Sequence, residues 1–272
     1  MRSFPNLGLA NRFNFASPIP GGILLCMFII WLIVLAAPAA PTAERAKIPV
    51  GTILPVSFEH SLSSKELAKG GAIAGRIMQD VPLPNKEKIP FGAKVRGTIL
   101  DVVSAENGPA SITFRLDSVE FQHSTIPLVT GLRAMAPFLD IQAAHATYQD
   151  ASSGSPSEWA TTMQIGGDLR YGSGGKVTNS RHRTVGKATT DDGVLVHLED
   201  SPGSPCAGWP DGPERIQAVW VFSASACGLF DLRGMRIVHA GNTSPFGEIT
   251  LTKDEGDIKI MKSSGMLLRV VR

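Results

Sequence analysis

Short segments of alternating apolar and polar residues dominate the first half of the chain. In TILPVSFE, the apolar side chains of Leu54, Val56 and Phe58 recur at every second position, which is the period expected for a strand with one buried face. The same period appears in GAIAGRIMQDV, KVRGTILDVV and ASITFRLDSVEFQ. In the last of these the apolar set changes parity near Asp117 and Ser118, so a β-bulge or bend is expected there.

The pattern I-P-x-G occurs twice, in IPVGTILPV and in IPFGAKVRG. Pro49 and Pro90 fix their own φ and keep the preceding isoleucine extended, whereas Gly51 and Gly92 can leave a turn without a Cβ penalty. We interpret both copies as turns that lead into strands, with proline at the second position of each turn. Two unrelated turns that are alike by chance are the alternative, because four residues repeat easily.

The second half of the chain contains many glycine-rich turns. Before it, Leu132, Met135 and Leu139 of LVTGLRAMAPFLDIQAAHATYQ predict one or two helical turns interrupted by Pro137. Residues 150–159 have the Ser/Gly-rich composition of a linker. Short apolar runs such as VLVHL and AVWVF are typical of buried strands. EITLTKDEGDIKI predicts a hairpin around residues 254–256. The apolar terminus GMLLRVVR is expected to return to the first sheet.

These patterns predict an all-β fold, a partly open β-barrel or sandwich that carries an inserted β-rich module. We assign residues 46–140 plus 258–272 to the barrel-like domain and residues 150–257 to the insertion.

The N-terminus has the features of an export signal. Residues 1–43 contain no Asp or Glu and include an unbroken apolar stretch at residues 23–37. That length is typical of a signal peptide and short for a membrane span, which needs about 20 residues. We interpret residues 1–39 as an N-terminal signal helix cleaved after Ala39, which predicts a periplasmic, outer-envelope or secreted protein. An uncleaved anchor in the inner membrane is the alternative.

The cysteines support the same location. If residues 1–39 are removed, Cys206 and Cys227 remain, and an even count in an exported chain predicts a disulfide between them. The competing hypothesis makes Cys227 a nucleophile and His239 its base, which requires a free thiol.

Composition and motif searches narrow the function classes. The formal net charge is +2 and no block of Lys or Arg occurs, so nucleic acid is not an expected partner. The histidines lack metal-ligand spacing, and neither a metal nor a cofactor is predicted. Candidate ligand contacts are Trp209, beside the predicted disulfide, and the basic tip of Arg181, His182 and Arg183.

The order IPVGTILPV, LSS, a strand ending in DV, IPFGAKVRGTI and FRLDSVEF, with IPL following, resembles the β-barrel domain of TrbI-family proteins. That family forms outer-core components of bacterial conjugation and type IV secretion channels. The resemblance covers about residues 48–128 and implies a barrel-like fold and an envelope location. The family's cytoplasmic tail and proline-rich stalk have no counterpart here, and residues 150–257 do not resemble its membrane-crossing helical antenna.

The function predicted from these observations is that of an exported, non-enzymatic bacterial β-protein, a structural or interaction module of the cell envelope. Its expected partner is an envelope protein or a glycan. Two alternatives stay open: a TrbI-like subunit of an envelope secretion assembly, and an exported hydrolase or glycan-binding protein with its site in residues 160–257.

Overall fold

The architecture is taken from a computed structural model that describes residues 47–122, 124–153, 160–171, 175–189, 193–199, 206 and 215–272. These residues contain the α-helix α1 (Phe138–Ser153) and include short 3₁₀ turns at Pro84–Lys86 and Ala105–Asn107. The strands, in chain order, are β1 (Ile53–Phe58), β2 (Leu62–Ser63), β3 (Ala72–Ile77), β4 (Val81–Pro82), β5 (Lys88–Ile89), β6 (Lys94–Val103), β7 (Ala110–Phe121), β8 (Ser124–Pro127), β9 (Thr130–Ala136), β10 (Ala160–Gln164), β11 (Gly167–Tyr171), β12 (Lys176–Asn179), β13 (Thr184–Ala188), β14 (Val194–Val196), β15 (Gln217–Ala218), β16 (Gly228–Leu229), β17 (Met235–Ala240), β18 (Ile249–Lys253), β19 (Lys259–Ile260) and β20 (Gly265–Val270).

Ten strands form the main sheet, in the order β16-β9-β20-β1-β3-β6-β7-β18-β17 with β8 paired to β7. All its pairings are antiparallel except that of β16 with β9. The protein is mainly β, and this sheet forms a nearly closed barrel, which confirms the predicted fold class.

The barrel interior is lined by alternating positions of the predicted strands. Leu54, Val56 and Phe58 of β1 belong to its core, together with side chains from β3, β6 and β7. Burying large aliphatic and aromatic side chains stabilises a fold by about 1.5–3 kcal/mol each. The period of two in the sequence therefore marks the side chains that face the barrel interior.

A second core lies on the outer face of β1, β9 and β20. Ile53 and Leu267 belong to it, although their chain neighbours Leu54 and Leu268 point into the barrel. These strands are covered on both faces, which explains why GMLLRVVR is almost continuously apolar. The expected return of the C-terminal strand is confirmed, since β20 pairs with β1 and β9.

The second core is completed by a six-stranded antiparallel sheet, β10-β11-β12-β13-β14-β15. Strand pairing divides the chain differently from the sequence pattern, because β17 and β18 lie within residues 150–257 but extend the main sheet through β7. An alternating strand looks the same in either sheet, so its pattern does not identify its partner.

Three local predictions have clear outcomes. The bulge is confirmed: Arg96 pairs with Ser118 and Gly97 with Leu116, which leaves Asp117 as the extra residue of β7. The predicted helical turns are confirmed after Pro137, where α1 begins at Phe138, and are wrong before it, where β9 occupies the chain. The hairpin at residues 254–256 is also wrong, since β19 pairs with β2 and not with β18.

Residues 1–39, predicted to be a signal helix, lie outside the described residues.

Candidate functional site

The two I-P-x-G segments form matching turns directly before β1 and β6. In residues 49–52 and 90–93, the fourth amide donates to the proline carbonyl at 3.2 Å. The third residue is glycine with positive φ, 84° at Gly51 and 81° at Gly92, as a type II turn requires. Proline is therefore the first residue of each turn, which corrects the expected second position.

The second position of each turn carries an exposed apolar side chain. Val50 is 41% exposed and Phe91 is 58% exposed. Single exposed aliphatic residues are common on protein surfaces, whereas an exposed aromatic ring beside an apolar cavity is typical of a binding surface.

Hydrogen bonds from several directions hold the turn that carries Phe91. Asp80 Oδ1 accepts from the Phe91 amide at 2.7 Å, the Gly92 amide donates to Ile77 O at 2.8 Å, and Arg76 donates to Gly92 O at 3.0 Å. Burial by itself raises the pKa of the Asp80 carboxyl, but the hydrogen bond from Lys88, the Phe91 amide and the Lys88 charge together lower it. Asp80 is therefore a carboxylate at neutral pH and fixes the turn.

Phe91 lies at the rim of an apolar cavity of about 450 Å³, which we call the Phe91 groove. Its apolar lining is contributed by strand ends, α1 and the segment before β16: Met78, Phe91, Phe138, Ile141 and Trp220. Ser57, Met78, Phe91 and Ser263 also line an adjoining cavity of about 400 Å³, whose charged residues are Glu59, Arg76 and Lys262. We include this adjoining cavity in the Phe91 groove, which thus has an apolar part and a charged end.

Two side chains that line the groove, Ile141 of α1 and Trp220, pack closely over Gly265 of β20. A Cβ at this position would lie 2.4 Å from Ile141 Cδ1 and 3.1 Å from Trp220 Cζ3. Trp220 is 5% exposed and has a φ of 52°, which is unusual for a bulky residue. Its amide donates to Gln79 Oε1 at 2.7 Å, and this bond fixes the backbone that presents the ring.

Two carboxyls meet near the start of α1, the helix that forms one wall of the groove. Asp140 lies in the first turn of α1, and Asp231 has a φ of 47°. Burial, a hydrogen bond with Asp231 and the Asp231 charge raise the pKa of Asp140. The neighbouring Asp231 therefore disfavours the charged form of Asp140.

The predicted basic tip belongs to a second groove, on the six-stranded sheet. Arg181 and Arg183 line a polar cavity of about 760 Å³, which we call the Arg181 groove, while His182 does not line it. The other lining residues come from β12, β13, the end of β14 and the loop before β16: Asn179, Ser180, Thr184, Val185, His197, Leu198, Glu199 and Ser225.

The cysteines are joined by a disulfide between Cys206 and Cys227. Cys227 therefore has no free thiol for nucleophilic attack. His239, its proposed base, lies in β17 with Nδ1 at 2.6 Å from Glu248 O and Nε2 at 3.0 Å from Thr243 Oγ1. Trp209, the remaining candidate ligand contact, lies outside the described residues.

Within the described ranges, no group of three or more His, Cys, Asp or Glu side chains is placed to hold a metal ion. No helix among these residues is long and apolar enough to cross a membrane.

Sequence reasoning did not identify the Phe91 groove or the part of the Arg181 groove formed by His197 and Ser225. A signal for the first was present, because Phe91 occupies the variable position of a turn motif that was recognised. His197 and Ser225 gave no such signal, since they come from distant parts of the sequence.

No protein-family model, curated protein or solved structure matches this chain.

Proposed function

We propose that this chain is an exported, non-enzymatic interaction module of the cell envelope that binds a peptide segment of a partner protein in the Phe91 groove. The observation that carries the proposal is a 58% exposed phenylalanine on a turn fixed by hydrogen bonds, beside an apolar cavity. A rigid aromatic side chain loses little conformational entropy on binding, and such residues supply much of the binding energy at interfaces.

The lining of the groove favours one kind of segment. Its apolar part suits a large aliphatic or aromatic anchor side chain. At its charged end, Arg76 is paired with Glu59 at 2.6 Å, whereas Lys262 has no ion-pair partner among the described residues. The preferred segment therefore has an apolar anchor with an acidic residue close to it.

The disulfide supports the exported location. Disulfides persist in oxidising compartments and are rare in the cytosol, and the pair Cys206–Cys227 is consistent with export.

A peptide-display selection tests the binding function. Random dodecapeptides are selected on the purified protein and then measured against Phe91→Ala and Val50→Ala. Val50 is a matched control, because it occupies the same position of the same turn motif but lines neither part of the groove. We expect selected peptides to combine an aromatic or large aliphatic residue with a nearby Asp or Glu. Phe91→Ala should weaken their binding about tenfold or more, and Val50→Ala should leave it unchanged.

A Lys262→Gln variant tests the charged end. This variant should weaken the binding of acidic peptides and reduce its salt dependence. It should not affect the binding of the same peptides in which Asn or Gln replaces the acidic residue. Peptides that bind wild type and Phe91→Ala equally would contradict the proposed function.

Intact mass tests export separately. Protein purified from its own host should lack about the first 39 residues, and its two cysteines should resist alkylation until reductant is added. A freely alkylated Cys227 would contradict export. A full-length mass with protected cysteines would instead favour the anchored secretion-assembly subunit.

A further inference from the structure

We infer that the Arg181 groove is a second binding site, which takes an acidic oligosaccharide such as a uronic-acid sugar. Its lining combines guanidinium groups with hydroxyl and amide side chains, and its volume of about 760 Å³ lies within the range of small-molecule sites. The site shares no lining residue with the Phe91 groove.

The basic tip is arranged before any ligand arrives. Asn179 Oδ1 accepts from the amides of Arg181 and Arg183 at 3.0 and 3.1 Å. The Asn179 amide donates to Arg183 O at 3.0 Å, and the His182 amide donates to Asn179 O at 2.9 Å. This compact turn directs residues 181 and 183 to the groove and leaves His182, with φ of 56°, at its apex.

The ion pairs leave one cation of the groove without a counter-charge. Glu199 Oε1 accepts from Arg183 at 2.5 Å and from Asn179 Nδ2 at 2.7 Å, so this carboxylate is already committed to Arg183. Arg181 is exposed and has no carboxylate partner among the residues that the structure describes. A guanidinium in this state can form a bidentate pair with an incoming carboxylate.

The remaining lining favours a polyhydroxylated ligand. Ser180 and Thr184 contribute hydroxyls, while Val185 and Leu198 are the apolar lining residues. The Ser225 hydroxyl also lines the groove but already donates to Gly166 O at 3.3 Å. Hydroxyl groups both donate and accept hydrogen bonds, which matches the hydroxyls of a sugar ring. A single unneutralised arginine is too little charge for a nucleic-acid backbone, which requires many phosphate contacts.

The test uses digalacturonate and its dimethyl ester, which share the sugar frame and differ in charge. Calorimetric titration should show the acid binding about tenfold more tightly than the ester. Raising NaCl from about 50 to about 200 mM should weaken only the acid. Arg181→Gln should reduce the affinity for the acid to that for the ester, and Thr184→Val should weaken both ligands a few-fold.

Arg233→Gln is the matched control, since Arg233 is exposed and lines neither groove; it should change nothing. Inorganic phosphate is added as a competitor. If the groove recognises only negative charge and not the sugar, phosphate should displace digalacturonate fully. The inference is overturned by equal binding of acid and ester, by full displacement with phosphate, by an unaffected Arg181→Gln variant, or by no binding at about 10 mM ligand. Phe91→Ala should bind digalacturonate normally, so failure of one site is distinguishable from failure of the other.

Discussion

Gln79 and Gly193 form a buried contact between the barrel and the six-stranded sheet, and its energy can be predicted. Gln79 is fully buried and accepts the Trp220 amide at 2.7 Å. A Cβ added to Gly193 would lie 2.2 Å from Gln79 Cδ and 2.5 Å from its Cγ. Gly193→Ala must therefore displace the Gln79 side chain and break its hydrogen bond.

The cost of each single variant follows from this geometry. Gln79→Ala leaves the buried Trp220 amide without its acceptor, at about 1–3 kcal/mol, and removes buried carbon at about 1 kcal/mol. Gly193→Ala loses the same hydrogen bond and adds overpacking of about 1–3 kcal/mol. Gln79→Ala should therefore lower the free energy of unfolding by about 2–4 kcal/mol, and Gly193→Ala should lower it by about 2–6 kcal/mol.

The double variant should be much less destabilised than the sum of the two. The hydrogen bond of the Trp220 amide is lost only once, and an alanine at position 79 leaves room for the new Cβ at position 193. We expect a coupling energy of about 2 kcal/mol or more in favour of the pair, measured by urea unfolding at neutral pH with the disulfide intact. Val50→Ala combined with Gly193→Ala is the additive control. Additivity of Gln79→Ala and Gly193→Ala within about 0.5 kcal/mol would refute the reasoning.

Three further predictions concern charge and cross-linking. The folded pKa of Asp140 is raised, so ionisation of Asp140 opposes folding, and Asp231→Asn should stabilise the protein at pH 7 by about 0.5 kcal/mol. Thermal melts should show that this gain vanishes as the pH falls through the raised pKa, and an equal gain at acid pH would contradict the prediction. The pKa of Asp257 is lowered, first through the hydrogen bond from the Ala105 amide, so the carboxylate stabilises the fold at neutral pH and this stabilisation is lost as the pH falls through the folded pKa. Asp257→Ala should be less stable than wild type at pH 7 and equally stable in acid, and a pH-independent difference would count against this role. Cys206→Ser opens a loop with a sequence separation of 21 and should lower the free energy of unfolding by about 3 kcal/mol in urea titrations, whereas an unchanged value would show that the cross-link does not restrict the unfolded chain.

Much of the barrel could be predicted from local pattern. The strand at residues 94–103 was identified with the bounds of β6, and the parity shift in β7 located the bulge at Asp117. Both succeed because a strand with one buried face alternates strictly, and a bulge must invert that alternation. The helical prediction failed only before Pro137, because apolar spacing in a short segment fits a helical turn as well as it fits β9, which is buried on both faces.

The candidate sites were predicted only in part. Arg181 and Arg183 could be predicted because they lie two residues apart in one basic segment, and the turn around Phe91 could be predicted from its proline and glycine. Nothing in the sequence indicates that Phe91 lies beside Ile141 and Trp220, since this depends on the packing of α1 against β20 at Gly265.

The sequence by itself therefore determined the β class, most strand positions of the barrel, the two repeated turns and the pairing of Cys206 with Cys227. Most of these features depend on interactions over a few residues, whereas the cysteine pairing was predicted on the condition that residues 1–39, which contain Cys26, are removed. Tertiary structure alone decided which sheet received β17 and β18, how two cores share the strands β1, β9 and β20, and where the two grooves form. The physical reason is that the apolar pattern of a segment shows which of its side chains are buried. The residues that each side chain contacts depend on packing between segments far apart in the chain.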